Sequence, residues 1–542
     1  MNIWTDRKIW GRSQSLIINC FALLIGALLF AGSFPNLFFE KGIAFLAWLA
    51  YFPVFWLLYR ISFRASFFYG ALYGYVAYSL FNYWLNAFHP LAGVIVDVIY
   101  LFYFFILFPV LKIALVFFPK RGYLIQLLVW VSFEYIRTLG FLGYPYGITG
   151  YSQWYILPVI QIASLVGVWG VSTLVLFPSV YLAALFSREN KLKGMHSFLI
   201  GEWIPAAIWG ICLAGTLIYG FMSPVDYTGA ATRRIALVQH NTDPWRGGLV
   251  EYRRNFNVLQ ELSNEALAQN PKPDLIVWSE TAFVPRIEWH KQYRTDRESW
   301  LLVKDLLDYL ALQEVPFVIG NDDASKDLLL SKELDGRVDY NAVMLFNKGE
   351  VVDIYRKIHL VPFTEYFPYQ KQLPFVYNAL IHADTHFWEK GTEVTVFEIN
   401  GLKFSSPICF EDSFGYLSRN FVRNGAELLV NLSNDAWSNS LSAQMQHFAM
   451  AVFRAVENRR SMVRSTASGQ TCAIDPNGRV INMAKPFAEI QLTVDVPIVK
   501  NVTSFYTRYG DFLPRICIIL IILMIPAAII RYMIKVRNHG KD

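Results

Sequence analysis

Residues 13–222 hold only 15 of the chain's 90 Asp, Glu, Lys and Arg residues, whereas residues 223–512 hold 65 of them. No single solvent suits both blocks. A stretch of about 20 apolar residues is long enough, as a helix, to cross a bilayer. The first block contains seven such stretches, near 15–32, 43–59, 66–88, 93–118, 122–138, 156–186 and 199–221, and an eighth lies near 513–532. The 156–186 stretch is longer than one crossing needs, which predicts an interfacial piece. No clear small-residue cleavage site follows the first stretch, so it is read as a retained span, not a signal peptide. The predicted organisation is a membrane domain over 1–222, a water-facing domain over 223–512, and a last span with a tail over 513–542.

Orientation follows from the basic residues of short loops. Arg7, Lys8 and Arg12 precede the first span; Arg60 and Arg64 follow the second; Lys120 and Arg121 follow the fourth. Arg188, Lys191 and Lys193 follow the sixth, and Arg531, Lys535, Arg537 and Lys541 follow the eighth. The alternate loops hold little beyond Lys41 and Arg137. Both termini are therefore expected in the cytoplasm and residues 223–512 on the far side, the periplasm of a two-membrane bacterium. A net charge of +6 without a dense basic block argues against nucleic acid as a partner. Five Cys in 542 residues exclude a disulfide scaffold, and no His-Glu-x-x-His or Cys-x-x-Cys spacing marks a metal site.

The water-facing block alternates short apolar runs with helical patterns. Strands are predicted at 235–240, 275–278, 317–320, 342–346, 351–355, 404–409, 428–432 and 462–465. Helices are predicted at 249–269, 300–312 and 443–456. This is the pattern of a layered α/β fold. The runs at 342–346 and 351–355 are close enough to form a hairpin, so the sheet is expected to be mixed. Glu280, Lys357 and Cys409 each stand just past one of these runs, where an α/β sheet exposes its site. Each has an ordinary explanation when taken alone: a solvated carboxylate, a surface ammonium, a small buried thiol.

The words around them change that reading. They are Trp278-Ser279-Glu280-Thr281-Ala282, Lys357-Ile358-His359-Leu360-Val361-Pro362-Phe363-Thr364-Glu365-Tyr366, Pro407-Ile408-Cys409-Phe410-Glu411-Asp412 and Asn431-Leu432-Ser433-Asn434-Asp435-Ala436-Trp437. In order and spacing they resemble the nitrilase, or carbon–nitrogen hydrolase, superfamily over about 232–498. That resemblance implies a four-layer αββα sandwich and a Glu-Lys-Cys triad. The membrane half carries Trp130-Val131-Ser132-Phe133-Glu134-Tyr135-Ile136-Arg137, then Gly143-Tyr144-Pro145-Tyr146-Gly147 and Gly167-Val168-Trp169-Gly170. With about eight spans around a nitrilase-like domain, the whole chain resembles the apolipoprotein N-acyltransferase family.

The resemblance implies a bacterial inner-membrane enzyme that moves an acyl chain from a phospholipid donor to the amine of a diacylglyceryl-cysteine apolipoprotein. Cys409 would be the nucleophile, Glu280 the base and Lys357 the oxyanion partner. Glu365, Glu411 and Phe410 would support them, and Trp245, Glu134, Arg137, Asn434 and Trp437 would contact substrate. No cofactor is implied, and a monomer is expected. Acyl transfer needs this set: a thiolate nucleophile, a base, and a cation for the oxyanion. Glu134 and Arg137 share one helix face, so a structural ion pair competes with a lipid or acceptor contact. The sequence departs from the family pattern at Ser279, Thr364, Phe410, 438–440 and 442–447, in loops expected to handle the acceptor. Two further readings stand beside this one: a membrane-tethered amidase that releases its acyl group to water, and a lipid-binding module without catalysis.

Overall fold

The computed structural model describes residues 12–88, 90–188, 191–243, 246–328, 336–382 and 385–539. They fall into two compact units: Met1–Ser223 with Ser440–Ala449 and Tyr509–Asp542, and Pro224–Asn439 with Met450–Arg508.

The first unit is helical. Among the described residues, five of its helices are long and apolar enough to cross a membrane: Gln14–Ser33, Ala92–Phe117, Ala163–Phe186, Trp203–Met222 and Phe512–Ile530. The stretches Ala44–Arg60 and Gly122–Ile136 are shorter apolar helices. The first of these is divided, because Pro53 starts a separate helix, Phe52–Arg60. The stretch read as a span at 66–88 forms the helix Phe63–Phe81, followed by a short helix, Leu85–Phe88. The expected 156–186 span is also divided, into Leu157–Ile160 and Ala163–Phe186, the latter interrupted at Gly167 (φ 65°).

Small residues set the closest helix packing. A Cβ on Gly70 or Gly74 would collide with the backbone carbonyl of Phe104 or Tyr100, so these glycines let Phe63–Phe81 lie directly on Pro90–Phe117. Several polar groups inside the bundle find partners, which an apolar surround favours. Lys112 Nζ donates to Leu58 O (2.7 Å), and Ser79 Oγ donates to Asp97 Oδ2 (2.6 Å).

The second unit is built on twelve strands: β1 (Thr232–Gln239), β2 (Leu275–Trp278), β3 (Phe317–Lys326), β4 (Arg337–Asn347), β5 (Glu350–Arg356), β6 (Phe397–Ile399), β7 (Leu402–Ser405), β8 (Leu428–Ser433), β9 (Ser461–Thr466), β10 (Cys472–Ile474), β11 (Val480–Met483) and β12 (Ile490–Pro497). They form two six-stranded sheets with orders β12-β1-β2-β3-β4-β5 and β11-β10-β9-β8-β7-β6. Both are mixed. β1, β2 and β3 run parallel, as do β7, β8 and β9, while the outer pairs are antiparallel. The predicted hairpin is β4–β5, turned by Lys348 and Gly349, both at positive φ as a tight two-residue turn demands.

Helices cover the outer faces. Phe256, Leu259, Leu302 and Leu306 of Leu249–Leu267 and Arg297–Ala311 are buried against Ile276, Trp278, Ile319 and Met344 of the first sheet. Leu417 and Phe421 of Gly415–Arg423, and Phe453 and Val456 in the second half of Leu441–Asn458, are buried as well. The inner faces meet, and Ser465 Oγ of β9 donates to both Val238 O and Val277 O of β1 and β2 (3.1 and 3.0 Å). The result is the nitrilase-like αββα order.

Candidate active site

Three side chains of the sheet unit converge past the strand ends. Glu280 leaves β2 two residues after Trp278 and is 6% exposed, and Lys357 leaves β5 immediately after Arg356 and is fully buried. Lys357 Nζ donates to Glu280 Oε1 (3.1 Å) and Glu365 Oε1 (2.8 Å). Glu280 Oε1 also accepts from Asn341 Nδ2 (2.8 Å), and its Oε2 accepts the backbone N–H of Asn434 (2.9 Å). Three of the roughly four acceptor sites of Glu280 are thus filled by this clamp. Burial opposes the charge on Lys357, but Glu280, Glu365 and Cys409 outweigh it and hold the ammonium well above its ordinary value. Burial raises Glu365, and Lys357 counters it. Glu365 Oε2 accepts from the N–H of Val361 (2.8 Å), which fixes the loop that carries it.

Cys409 does not end a strand, as the run 404–409 predicted. β7 stops at Ser405, and Pro407 has no N–H to continue a ladder. Ile408 makes an isolated bridge to Leu432, and Cys409 opens a tight turn, Cys409–Ser413, at φ 47°. A non-glycine residue there costs energy and must be held by its surroundings.

Glu411 does much of that holding. It is fully buried. Its Oε1 accepts the N–H of Ile358 (2.8 Å) and of His359 (2.9 Å), and its Oε2 accepts the N–H of Ile408 (2.8 Å). Tyr355 Oη donates to both oxygens at 2.8 Å. One carboxyl therefore fixes the residue before Cys409 and the two after Lys357. Burial pushes Glu411 up to about 7 despite these donors. Phe410 packs edge-on against Phe414 (ring centroids 4.9 Å) and beside His359 (5.9 Å). Burial lowers His359 to about 4, so the imidazole is neutral, with Nδ1 2.9 Å from Tyr416 Oη. Next door, buried Arg464 pairs with Asp412 and, at 3.4 Å, with Asp435.

Asn434 meets Glu280 through its backbone, and its side chain caps the following turn by accepting from Ala436 N (3.3 Å). Trp437 lies half-buried on that turn, Asp435–Ser438. Trp245 lies outside the described residues. Glu134 and Arg137 belong to the helical unit, where both are buried. Arg137 Nη1 donates to Tyr100 Oη (2.6 Å) and to the carbonyls of Tyr144 (2.9 Å) and Tyr146 (2.8 Å). Glu134 Oε1 accepts the N–H of Thr149 (3.0 Å). Together they pin the 144–149 segment. Asn341, Tyr355 and Arg464 escaped the sequence reading; each acts on a partner 52 or more positions away, and no local pattern marks them. Among the described residues, no cluster of three His, Cys, Asp or Glu side chains could hold a metal ion.

The carbon–nitrogen hydrolase family model matches residues 234–501, and that of the apolipoprotein N-acyltransferase N-terminal domain matches residues 26–181. A solved amidase from Nesterenkonia sp. aligns with 54% of this chain and 98% of its own, at 18% identity and a TM-score of 0.36. The chain is 44% identical over 530 residues to apolipoprotein N-acyltransferase 1 of Treponema denticola, covering 96% of this chain and 97% of that protein. It is 45% identical over 545 residues to apolipoprotein N-acyltransferase 1 of Treponema pallidum, covering 98% and 99%. From end to end, therefore, the chain belongs to the apolipoprotein N-acyltransferase family, with its sheet unit as the carbon–nitrogen hydrolase part.

Proposed function

We propose that this protein transfers an acyl chain from a membrane phospholipid to the α-amine of a diacylglyceryl-cysteine apolipoprotein, by way of a thioester on Cys409. The observation that carries the reading is the buried ammonium of Lys357, clamped by Glu280 and Glu365 and charge-coupled to Cys409. Such a cation favours the thiolate and can receive an oxyanion, which is worth about 3 kcal/mol per donor. Glu280 takes the thiol proton, and the sulfur attacks the ester carbonyl. The C–O bond breaks, and the proton goes from Glu280 to the departing lysophospholipid oxygen. In the second half the amine attacks the thioester carbon, the C–N bond forms as the C–S bond breaks, and a nitrogen proton returns to the sulfur through Glu280. Glu365 positions Lys357, and Glu411 with Phe410 positions Cys409. Trp245, Trp437, Asn434 and the Glu134–Arg137 pair are assigned to the substrate path, the last pair through the loop it pins.

The domain assignment of 1–222, 223–512 and 513–542 goes with this reading. The protein would sit in the inner membrane as a monomer, with both termini cytoplasmic and the catalytic block periplasmic; the basic-residue pattern supports it. The test is mass spectrometry of lipoprotein N-termini from cells with and without the protein. N-acylated cysteine should be present only with it, and an unchanged free amine would refute the proposal. An amidase reading would instead give free fatty acid even when acceptor is abundant.

A further inference from the structure

Strand register fixes which side chains of β3, β4 and β5 share a face. Asp322 pairs with Asn341, and Ala342 with Arg356. The N–H of Lys357 then donates to Asn341 O (2.8 Å), extending that ladder by one residue. Directly opposed residues of antiparallel strands point the same way, with Cβ atoms roughly 5 Å apart. Asp322, Asn341 and Lys357 therefore form one row across three strands. The row is directed at Glu280, which accepts from both Asn341 and Lys357. Gly320 lies two residues before Asp322, on the same face. A Cβ there would collide with Ser279 O and Glu280 Cα, so β3 is drawn tightly against the backbone of Glu280.

Asp322 differs from the acidic residues around it in having no ion-pair partner, although Asp323 shares with it one unpaired buried oxygen. Asp323 takes Arg356 (2.8 Å), Asp339 takes Arg286 (2.8 Å) and Arg337 (2.9 Å), and Glu280 has its three donors. Asp322 Oδ1 is sealed from solvent and accepts no hydrogen bond, although the residue as a whole is only half-buried. The charged groups acting on it are Arg286, Asp339, Glu280 and Glu365. Burial, reinforced by those three carboxylates against the single Arg286, pushes its carboxyl up to about 7. A shielded carboxylate oxygen without a partner costs stability and has no packing reason to be there. It is suited to a ligand that brings both hydrogen-bond donors and positive charge.

We propose that Asp322 recognises the acceptor's α-ammonium group and so determines that the acyl chain goes to an amine. The inference rests on the acyl-transfer reading above and deepens it. The ammonium gives one proton to Asp322. The resulting amine attacks the thioester carbonyl, the C–N bond forms as the C–S bond breaks, and the sulfur recovers a proton through Glu280. Asp322 later releases its proton to solvent. The product amide is neutral, so its attraction to Asp322 is lost and it can leave. Water carries no charge and so gains less from Asp322 than an ammonium does, which favours amine over water as acceptor.

The test separates the two half-reactions in the purified full-length protein, with phosphatidylethanolamine vesicles as donor and a diacylglyceryl-cysteine peptide as acceptor. Asp322→Asn is isosteric and breaks no hydrogen bond of the half-buried carboxyl, so the fold is retained. The acyl-enzyme should form at close to the normal rate, while KM for the peptide rises roughly tenfold or more, the scale of one charge-assisted hydrogen bond. The second half-reaction should also lose the titration near pH 7 expected of the unmodified protein, and Asp322→Glu should restore part of the affinity. An unchanged peptide KM, or equal loss in both half-reactions, would overturn the inference and leave the acyl-transfer reading intact. Failure of the unmodified protein to form any acyl-enzyme would overturn both.

Discussion

Replacing Glu411 with Gln tests how the site is held together. The carboxyl accepts three backbone N–H groups and one phenol. An amide keeps one acceptor oxygen. In its better orientation the oxygen stays on Ile358, His359 and Tyr355, and the NH2 faces the N–H of Ile408. One charge-assisted bond is lost and a buried donor is left unsatisfied, a cost of about 2–3 kcal/mol. An opposing effect exists, because burial raises Glu411 to about 7 and the amide no longer carries that penalised charge. The two nearly cancel in stability, so a loss of only about 1 kcal/mol is expected near neutral pH. They do not cancel in activity. Ile408 immediately precedes Cys409, which already sits at φ 47°, and a shift of about 1 Å there costs roughly a hundredfold in rate. The assay is single-turnover formation of the hydroxylamine-sensitive acyl-enzyme, beside thermal melts from pH 4 to 8. A carboxyl with a raised pKa adds stability at low pH and loses it as pH rises from about 4.3 through about 7. That slope should vanish from the Gln variant's melts. Retention of more than about a tenth of the acylation rate would refute the argument that Glu411 positions the nucleophile.

Cys409→Ala should leave no acyl-enzyme, and Cys409→Ser should be nearly as inactive, since the same base does not activate a hydroxyl; a persisting thioester in the Ala variant would move the nucleophile elsewhere. Cys472 is fully buried and burial pushes its thiol up to about 12, so Cys472→Ala should keep activity at a stability loss of at most about 1–2 kcal/mol, and alkylation of the native protein should modify Cys409 first in peptide mapping. Arg464→Leu should destabilise the sheet unit by about 3–5 kcal/mol in denaturant melts, because it strands the buried carboxylates of Asp412 and Asp435. Reporters fused after residues 228 and 535 should be active on opposite sides of the membrane, outside and inside respectively; a cytoplasmic signal at 228 would break the odd count of crossings before it.

Much of the sheet unit was legible because buried strands advertise themselves. Leu275–Trp278 and Leu428–Ser433 are uniformly buried and read as apolar runs, and Lys348-Gly349 reads as a turn. β6 and β11 escaped notice because they are short and partly exposed. β12 escaped because its first half is only half-buried and its apolar residues alternate with polar ones, so the run is never continuous. At the site, Glu280, Lys357 and Cys409 stood out by their surrounding words. What joins them did not, since Glu411 works through backbone N–H groups 52 and 53 positions away, which any residue but Pro provides. In the helical unit, composition marked apolar stretches but not their breaks. Pro53 and Gly167 divide helices that hydropathy alone merges.

The sheet unit begins and ends on the same ladder. β1 and β12 pair in eight successive register steps from Thr232↔Pro497 to Gln239↔Ile490, so the chain enters and leaves at adjacent points. The segment before β1 and the segment after β12 therefore leave the sheet side by side. Tension between those two segments loads the ladder from Thr232–Pro497 inward, one pair at a time, as a zipper opens. That geometry yields at low force, whereas shearing the same eight pairs at once would resist it. The innermost pair ends at Gln239, whose side chain donates to the carbonyls of Lys485 and Ala488 (2.9 and 2.8 Å) and acts as the stop. A pull on either segment is thus absorbed by the outer pairs of the ladder before it reaches the strand interior.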